Sequence, residues 1–197
     1  WRGLGAGRTL QRREFRELVS NWKAEAAPDS VGYLLVRAYR ANTLNALWNG
    51  LTAAVAGPKF ESRRPAQFEA SGWRLVSEQP QGIAPPGAAD WHSFLLKQVD
   101  STISGLMKNC TTLATCTYGA SESVTVRHPL SRAVPVLSRL PDMPTMQLPG
   151  DHNMPRVQGG TFGASERFGV SPGREDQAYL ELPGGPSGHP LSPFYRS

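Results

Sequence analysis

The chain has 197 residues, is 39% hydrophobic and 19% charged, and carries 20 glycines and 17 prolines. So many turn-forming residues argue against a helical bundle, and the apolar content argues against full disorder. The 21 basic residues outnumber the 16 acidic ones, for a formal net charge of +5. Pairs such as Arg12-Arg13 and Arg63-Arg64 are broken up by acids or prolines, so no basic stripe with interleaved aromatics marks a nucleic-acid surface.

No run approaches the length of a membrane span, and no signal peptide is visible. The start at Trp1 and the stop at Ser197 read as those of a piece cut from a larger protein.

Phe15, Leu18, Val19 and Trp22 recur at i, i+3, i+4 and i+7, which predicts a helix over about 9–23 with its apolar face formed by these residues. Arg12, Arg13, Glu14, Arg16 and Glu17 supply the wet face, and Ala26-Ala27-Pro28 ends it. Asp29 or Ser30 can cap a second helix. Leu34, Leu35, Ala38, Leu44, Leu47 and Trp48 carry it to about Leu51, and Gly57-Pro58 closes it. The short link makes the two helices an antiparallel hairpin. A weaker helix over 65–76 contains Phe68, Trp73 and Leu75 and is expected to break at Gly72. A loop follows from Gln79 to Ala89. Asp90 then caps a helix to about Lys108, with Trp91, Phe94, Leu95, Val99, Ile103 and Leu106 at helical spacing.

After Asn109 the character changes. Val124-Thr125-Val126 alternates like a strand, and from His128 onward the pattern is loop, short strand, loop. Phe162–Ser171 and Gln177–Leu182 read as strands joined by a hairpin turn at Pro172-Gly173-Arg174-Glu175-Asp176. The fold class is therefore α+β: a mainly helical region over 1–109 and a strand-and-loop region over 110–197 of the same incomplete domain.

Sites of chemistry are harder to find. Cys110 and Cys116 have neither the spacing nor the second pair that a redox or zinc site needs. A small disulfide loop in an oxidising compartment and two buried free thiols remain open, with the thiols the favoured reading. Gly185-Pro186-Ser187-Gly188-His189 and Gly163-Ala164-Ser165-Glu166-Arg167 both fail the hydrolase elbow Gly-x-Ser-x-Gly. None of His92, His128, His152 and His189 has a partner at zinc spacing. Asp151-His152-Asn153 reads as a polar turn before it reads as a metal site. His128 and His189 each precede a proline, which forces an extended backbone, and each reads as a structural histidine donating to a loop carbonyl. Ser165-Glu166-Arg167 and Arg174-Glu175-Asp176 read as charged surface or ion-pair positions. Composition and spacing yield no phosphate loop, no dinucleotide fingerprint and no self-sufficient active site.

One set of blocks goes further. Tyr118-Gly119, Arg127-His128-Pro129-Leu130-Ser131-Arg132-Ala133-Val134-Pro135, Leu148-Pro149-Gly150-Asp151 and Phe162-Gly163-Ala164-Ser165-Glu166-Arg167 run in that order. Val170-Ser171-Pro172-Gly173-Arg174-Glu175 and the terminal Pro183-Gly184-Gly185-Pro186-Ser187-Gly188-His189-Pro190-Leu191-Ser192-Pro193 follow them. Together they resemble the penicillin acylase (penicillin amidase) family from about residue 118 to the end, and the helical first half fits more loosely.

The resemblance implies an N-terminal-nucleophile hydrolase with a four-layer αββα sandwich. Its precursor cleaves itself, and the new N-terminal serine attacks an amide with its own α-amino group as base. An asparagine side chain and backbone N–H groups hold the oxyanion. Those parts lie earlier in the family's large chain, so the resemblance makes this stretch the C-terminal part of that chain. It carries over no catalytic, cofactor or metal residue. His128, Ser165, Arg167, Ser187 and His189 fall in matched loops without an assigned role.

The implied reaction hydrolyses a linear amide, removing an acyl group from a β-lactam or homoserine lactone amine. The implied partners are the small chain, the N-terminal part of the large chain and a small-molecule amide. Some relatives bind calcium, which the resemblance leaves to the parent protein. Many are exported, which implies a periplasmic or secreted location. Two departures stand out: Pro186 where the family often has Gln, and Tyr118-Gly119-Ala120 where many members have Trp-Gly-Glu. The alternative reading is a non-catalytic binding or structural module that keeps the scaffold.

Overall fold

The computed structural model describes residues 10–53, 63–81, 83, 85–163, 166–182, 185 and 187–195. The chain divides into two compact units. The first holds residues up to 25 and 30–117, and the second holds 26–29 together with 118 onward. The first half is helical and the second is built of loops and short strands, an α+β arrangement.

Four helices make the first unit: α1 (Leu10–Ser20), α2 (Val31–Thr52), α3 (Phe68–Glu78) and α4 (Trp91–Leu106). The Ser30 hydroxyl accepts from the Tyr33 N–H at 3.2 Å and the Asp90 carboxylate from the Ser93 N–H at 2.6 Å, so both predicted caps form. The hydrogen bond to the backbone of Ser93 holds the Asp90 carboxyl below the usual range.

Helix α2 is the centre of this unit, because α1, α3 and α4 all pack on it. That explains its apolar residues on every side, where a surface helix would show one stripe. Phe15, Val19, Leu35, Tyr39, Val99, Ile103 and Leu113 form one core cluster, and Leu47, Val76, Trp91, Phe94 and Leu95 form another. Burial pushes the Tyr39 phenol up to about 12. The expected antiparallel hairpin of α1 and α2 is present. Trp22, just past the end of α1, stacks on Tyr33 at the start of α2, and Phe15 meets Tyr39 further along. Arg12 grips Asp100 through two hydrogen bonds, of 2.7 and 2.5 Å, tying α1 to α4.

Two expectations for this unit are corrected. Helix α3 runs through Gly72 without a break. Gly72 is there for closeness: a Cβ would sit 2.7 Å from Leu44 Cδ2 and 2.8 Å from Phe68 Cε1. Cys110 and Cys116 are joined by a disulfide rather than being free thiols. A 3-10 turn at Leu113–Thr115 doubles the chain back, so the two Cα atoms lie 5.5 Å apart, within disulfide reach. Closing so short a loop restricts the unfolded chain by about 2 kcal/mol. The expected Gly57-Pro58 stop lies outside the described residues.

The second unit is held by single hydrogen bonds more than by ladders. Two short helices, α5 (Tyr118–Ser121) and α6 (Pro129–Ala133), precede a 3-10 turn at Pro135–Leu137. The Pro28 carbonyl accepts from the Gly119 N–H at 2.7 Å, and the Ala26 carbonyl accepts from the Gly150 N–H at 2.9 Å. The predicted strand at Val124-Thr125-Val126 is reduced to one antiparallel bridge, Val124 with Met146.

The predicted strand Phe162–Ser171 splits in two, because its halves pair with different partners. Strand β2 (Phe162–Gly163) pairs antiparallel with β1 (Gln158–Gly159), and β3 (Arg167–Gly169) pairs antiparallel with β4 (Tyr179–Glu181). The second pair is the expected hairpin, with Arg167 opposite Glu181, Phe168 opposite Leu180 and Gly169 opposite Tyr179. Its connection is longer than expected, because Glu175–Gln177 forms a 3-10 turn before the strand begins.

Candidate functional site

The sequence directs attention to His128, Ser165, Arg167, Ser187 and His189. Ser165 lies outside the described residues. Arg167 is an exposed residue of β3. The other three belong to two loops with the same local design.

His128 caps α6. Its Nδ1 accepts from the Leu130 N–H at 3.1 Å, and its carbonyl accepts from the Ser131 N–H at 3.0 Å. His189 repeats this: Nδ1 accepts from the Leu191 N–H at 3.2 Å, and the carbonyl accepts from the Ser192 N–H at 2.9 Å. The cause is local. Proline locks its own φ and pushes the preceding histidine to extended backbone, which brings the imidazole over the N–H two residues on. The imidazole thus does the work of an Asx turn. Both rings accept through Nδ1, which corrects the expectation that they donate to a loop carbonyl, and the network assigns the ring proton to Nε2. The tetrapeptide His-Pro-Leu-Ser occurs at 128–131 and again at 189–192. That repeat was the signal available in the sequence.

Ser187 sits in the second of these loops. Its hydroxyl accepts from the His189 N–H at 3.2 Å, and its own N–H points to the Phe194 carbonyl at 3.4 Å.

The first loop gains a carboxylate that no local pattern announces. Asp142 accepts from the His128 N–H at 2.9 Å and from the Ser131 hydroxyl. The Ser131 bond, then the His128 N–H and the nearby Arg127 and His128, hold its carboxyl below the usual range. Tyr195 donates its hydroxyl to the Pro141 carbonyl and sets its ring edge-on to His128, with centroids 6.2 Å apart.

Ser131, His128 and Asp142 are the residue types of a hydrolytic triad, but their wiring is different. A triad needs the serine hydroxyl to donate to the imidazole, and the imidazole to the carboxylate. Here the serine donates to Asp142 and the imidazole accepts from backbone. The cluster therefore has no imidazole base poised on the serine.

A second hub lies around Gly150, in the Leu148-Pro149-Gly150-Asp151 block. Its carbonyl accepts from the Tyr118 hydroxyl at 2.6 Å and from Gln158 Nε2 at 2.9 Å. Asp151 Oδ1 accepts from the His152 N–H at 2.7 Å and faces its Nδ1 at 3.0 Å, the polar turn expected at that point. The described residues contain no group of three or more His, Cys, Asp or Glu placed to hold a metal ion.

Comparison with known proteins adds one finding. The family model described as penicillin amidase matches residues 4–197, nearly the whole chain. No curated protein matches it.

Proposed function

The chain belongs to the penicillin amidase family, and from that premise we propose that it is the C-terminal part of the large chain of an N-terminal-nucleophile amidohydrolase. The family match carries the reading. The wiring of the serines supports it: the Ser131 hydroxyl donates to the Asp142 carboxylate and the Ser187 hydroxyl accepts from the His189 N–H, and neither is paired with an imidazole nitrogen. The reacting serine then lies upstream, where self-cleavage frees its α-amino group to act as the base. The reaction releases a carboxylic acid from a linear amide of a β-lactam or homoserine lactone amine. Within that protein this chain supplies sandwich strands and outer helices, and its partners are the small chain and the earlier part of the large chain.

The disulfide between Cys110 and Cys116 supports a periplasmic or secreted protein, as such bonds persist in oxidising compartments. Among the described residues no helix is long and apolar enough to cross a membrane.

The test compares the whole protein with residues 1–197 expressed alone, using chromogenic phenylacetyl and longer acyl amides. Turnover is expected from the whole protein only. Activity above background in the isolated chain would overturn the placement of the nucleophile. A second reading, a scaffold that does no chemistry, is favoured by Ala120 and Pro186, which stand where many members have an acid and an amide. An upstream sequence lacking a serine that processing makes N-terminal would select it.

A further inference from the structure

The second unit contains seven arginines and no lysine, against eight carboxylates. Three of those arginines, Arg127, Arg132 and Arg139, line a single open cleft of about 710 Å³. The one acidic residue lining it is Asp142. Positive charge is therefore concentrated at one concave place in a unit whose remaining charges are mostly negative. A cleft lined by one sign of charge focuses the field and raises the local concentration of counter-charged ligand.

Asp142 neutralises the cleft only in part. Its one negative charge, near Arg127, stands against three arginines. Arg132 and Arg139 make no ion pair or hydrogen bond among the described residues. Arg132 lies in the last turn of α6, and Arg139 follows the 3-10 turn after it. Pro135, Met143 and Pro144 add apolar surface, and Ser138 a hydroxyl.

We propose that this cleft binds a small organic anion carrying two or more negative groups, either carboxylates or phosphates. Arginine suits both, because its planar fork pairs two oxygens at once. The volume falls within the range of small-molecule sites, about 300–1,000 Å³. Two negative groups match the net charge of +2 that three arginines and Asp142 give the lining. The lining contains no aromatic ring for stacking bases, which separates the site from a single-stranded nucleic-acid groove. The inference does not depend on the amidohydrolase reading.

Isothermal titration calorimetry on the whole protein tests it, with inorganic pyrophosphate and citrate as separate probes at low and raised salt. Saturable binding of at least one probe is expected, weakening as salt rises. Arg132→Ala should weaken it about tenfold, and adding Arg139→Ala about tenfold again, the worth of one charge-assisted hydrogen bond each. The Arg132→Lys/Arg139→Lys form should recover part of the loss, which separates charge from folding. Arg174→Ala, on the β3–β4 connection, should change nothing. Tighter pyrophosphate binding identifies a phosphate ligand, and tighter citrate binding a carboxylate ligand. No saturable binding of either probe, or equal binding by the double alanine form, would overturn the proposal.

Discussion

A histidine held extended by the proline after it has an imidazole nitrogen within reach of the backbone N–H two residues on, and this chain uses that arrangement twice. At His128 the cap is embedded among Ser131, Asp142 and Tyr195, so its loss is felt. His128→Ala is expected to cost about 1 kcal/mol, typical of a removed helix cap. His128→Asn should retain most of it, because an amide oxygen can accept the same bond. Urea unfolding of both forms checks this, and equal losses would refute the capping role.

Asp142 gives a sign that can be worked out. Its folded pKa lies below the ordinary carboxylate value, chiefly because of the Ser131 hydroxyl. Its stabilising contribution is therefore complete above about pH 4, near the unfolded value, and is lost as pH falls through the lowered folded pKa. Asp142→Asn should be less stable at neutral pH and should lose less on acidification than the parent. Parallel acid curves for the two would exclude it. The two histidine loops could be picked out in the sequence because His-Pro is a local signal. Asp142 could not, since it reaches His128 across 14 positions through a fold that no window reveals.

Helices announce themselves because their determinants are local. Ser30 and Asp90 cap within three residues, and the apolar spacing of α1 and α4 falls within a few turns. Strands here are two or three residues long, and their limits are set by partners elsewhere in the chain. That is why Phe162–Ser171 reads as one strand and is two. Gly72 misled in the opposite direction: its small size signals a break in isolation and a close helix contact in three dimensions.

Gly150 is the glycine whose backbone the second unit most needs. It sits at φ +114°, and a Cβ would run into the Arg156 carbonyl, a backbone atom that cannot swing aside. Its carbonyl also gathers Tyr118 and Gln158. Gly173, at φ +79°, has open space around its Cβ position. Gly150→Ala should therefore destabilise by about 2 kcal/mol or more, combining strain with overpacking, whereas Gly173→Ala should cost about 1 kcal/mol from strain alone. Thermal melts of the two variants decide it, and the reverse order would show that the Gly150 contact yields easily.

At the scale of the whole molecule, family membership was legible because spaced blocks such as Arg127-His128-Pro129 and Leu148-Pro149-Gly150-Asp151 mark loops and hubs that hold the second unit together. The disulfide was not legible, because a spacing of six suits a thiol pair as well as a bridge until the 3-10 turn is known. The second unit also presents apolar residues that it does not cover. Phe168 and Leu180 face each other across the β3–β4 hairpin at 66% and 64% exposure, and Leu191 and Phe194 are exposed at 89% and 62%. A two-stranded hairpin is marginal alone and needs another layer on its apolar face. In the proposed whole enzyme the remaining chains provide that layer. Expressed by itself, the chain should self-associate, eluting larger than a monomer and binding a dye that reports apolar surface. Phe168→Glu/Leu180→Lys puts an opposite-charge pair at the same cross-strand position. It should shift the isolated chain towards monomer and, in the whole protein, weaken assembly. A parent chain that stays monomeric, melts cooperatively and binds no dye would mean that this surface is stable in water, and the hairpin would then need no covering layer.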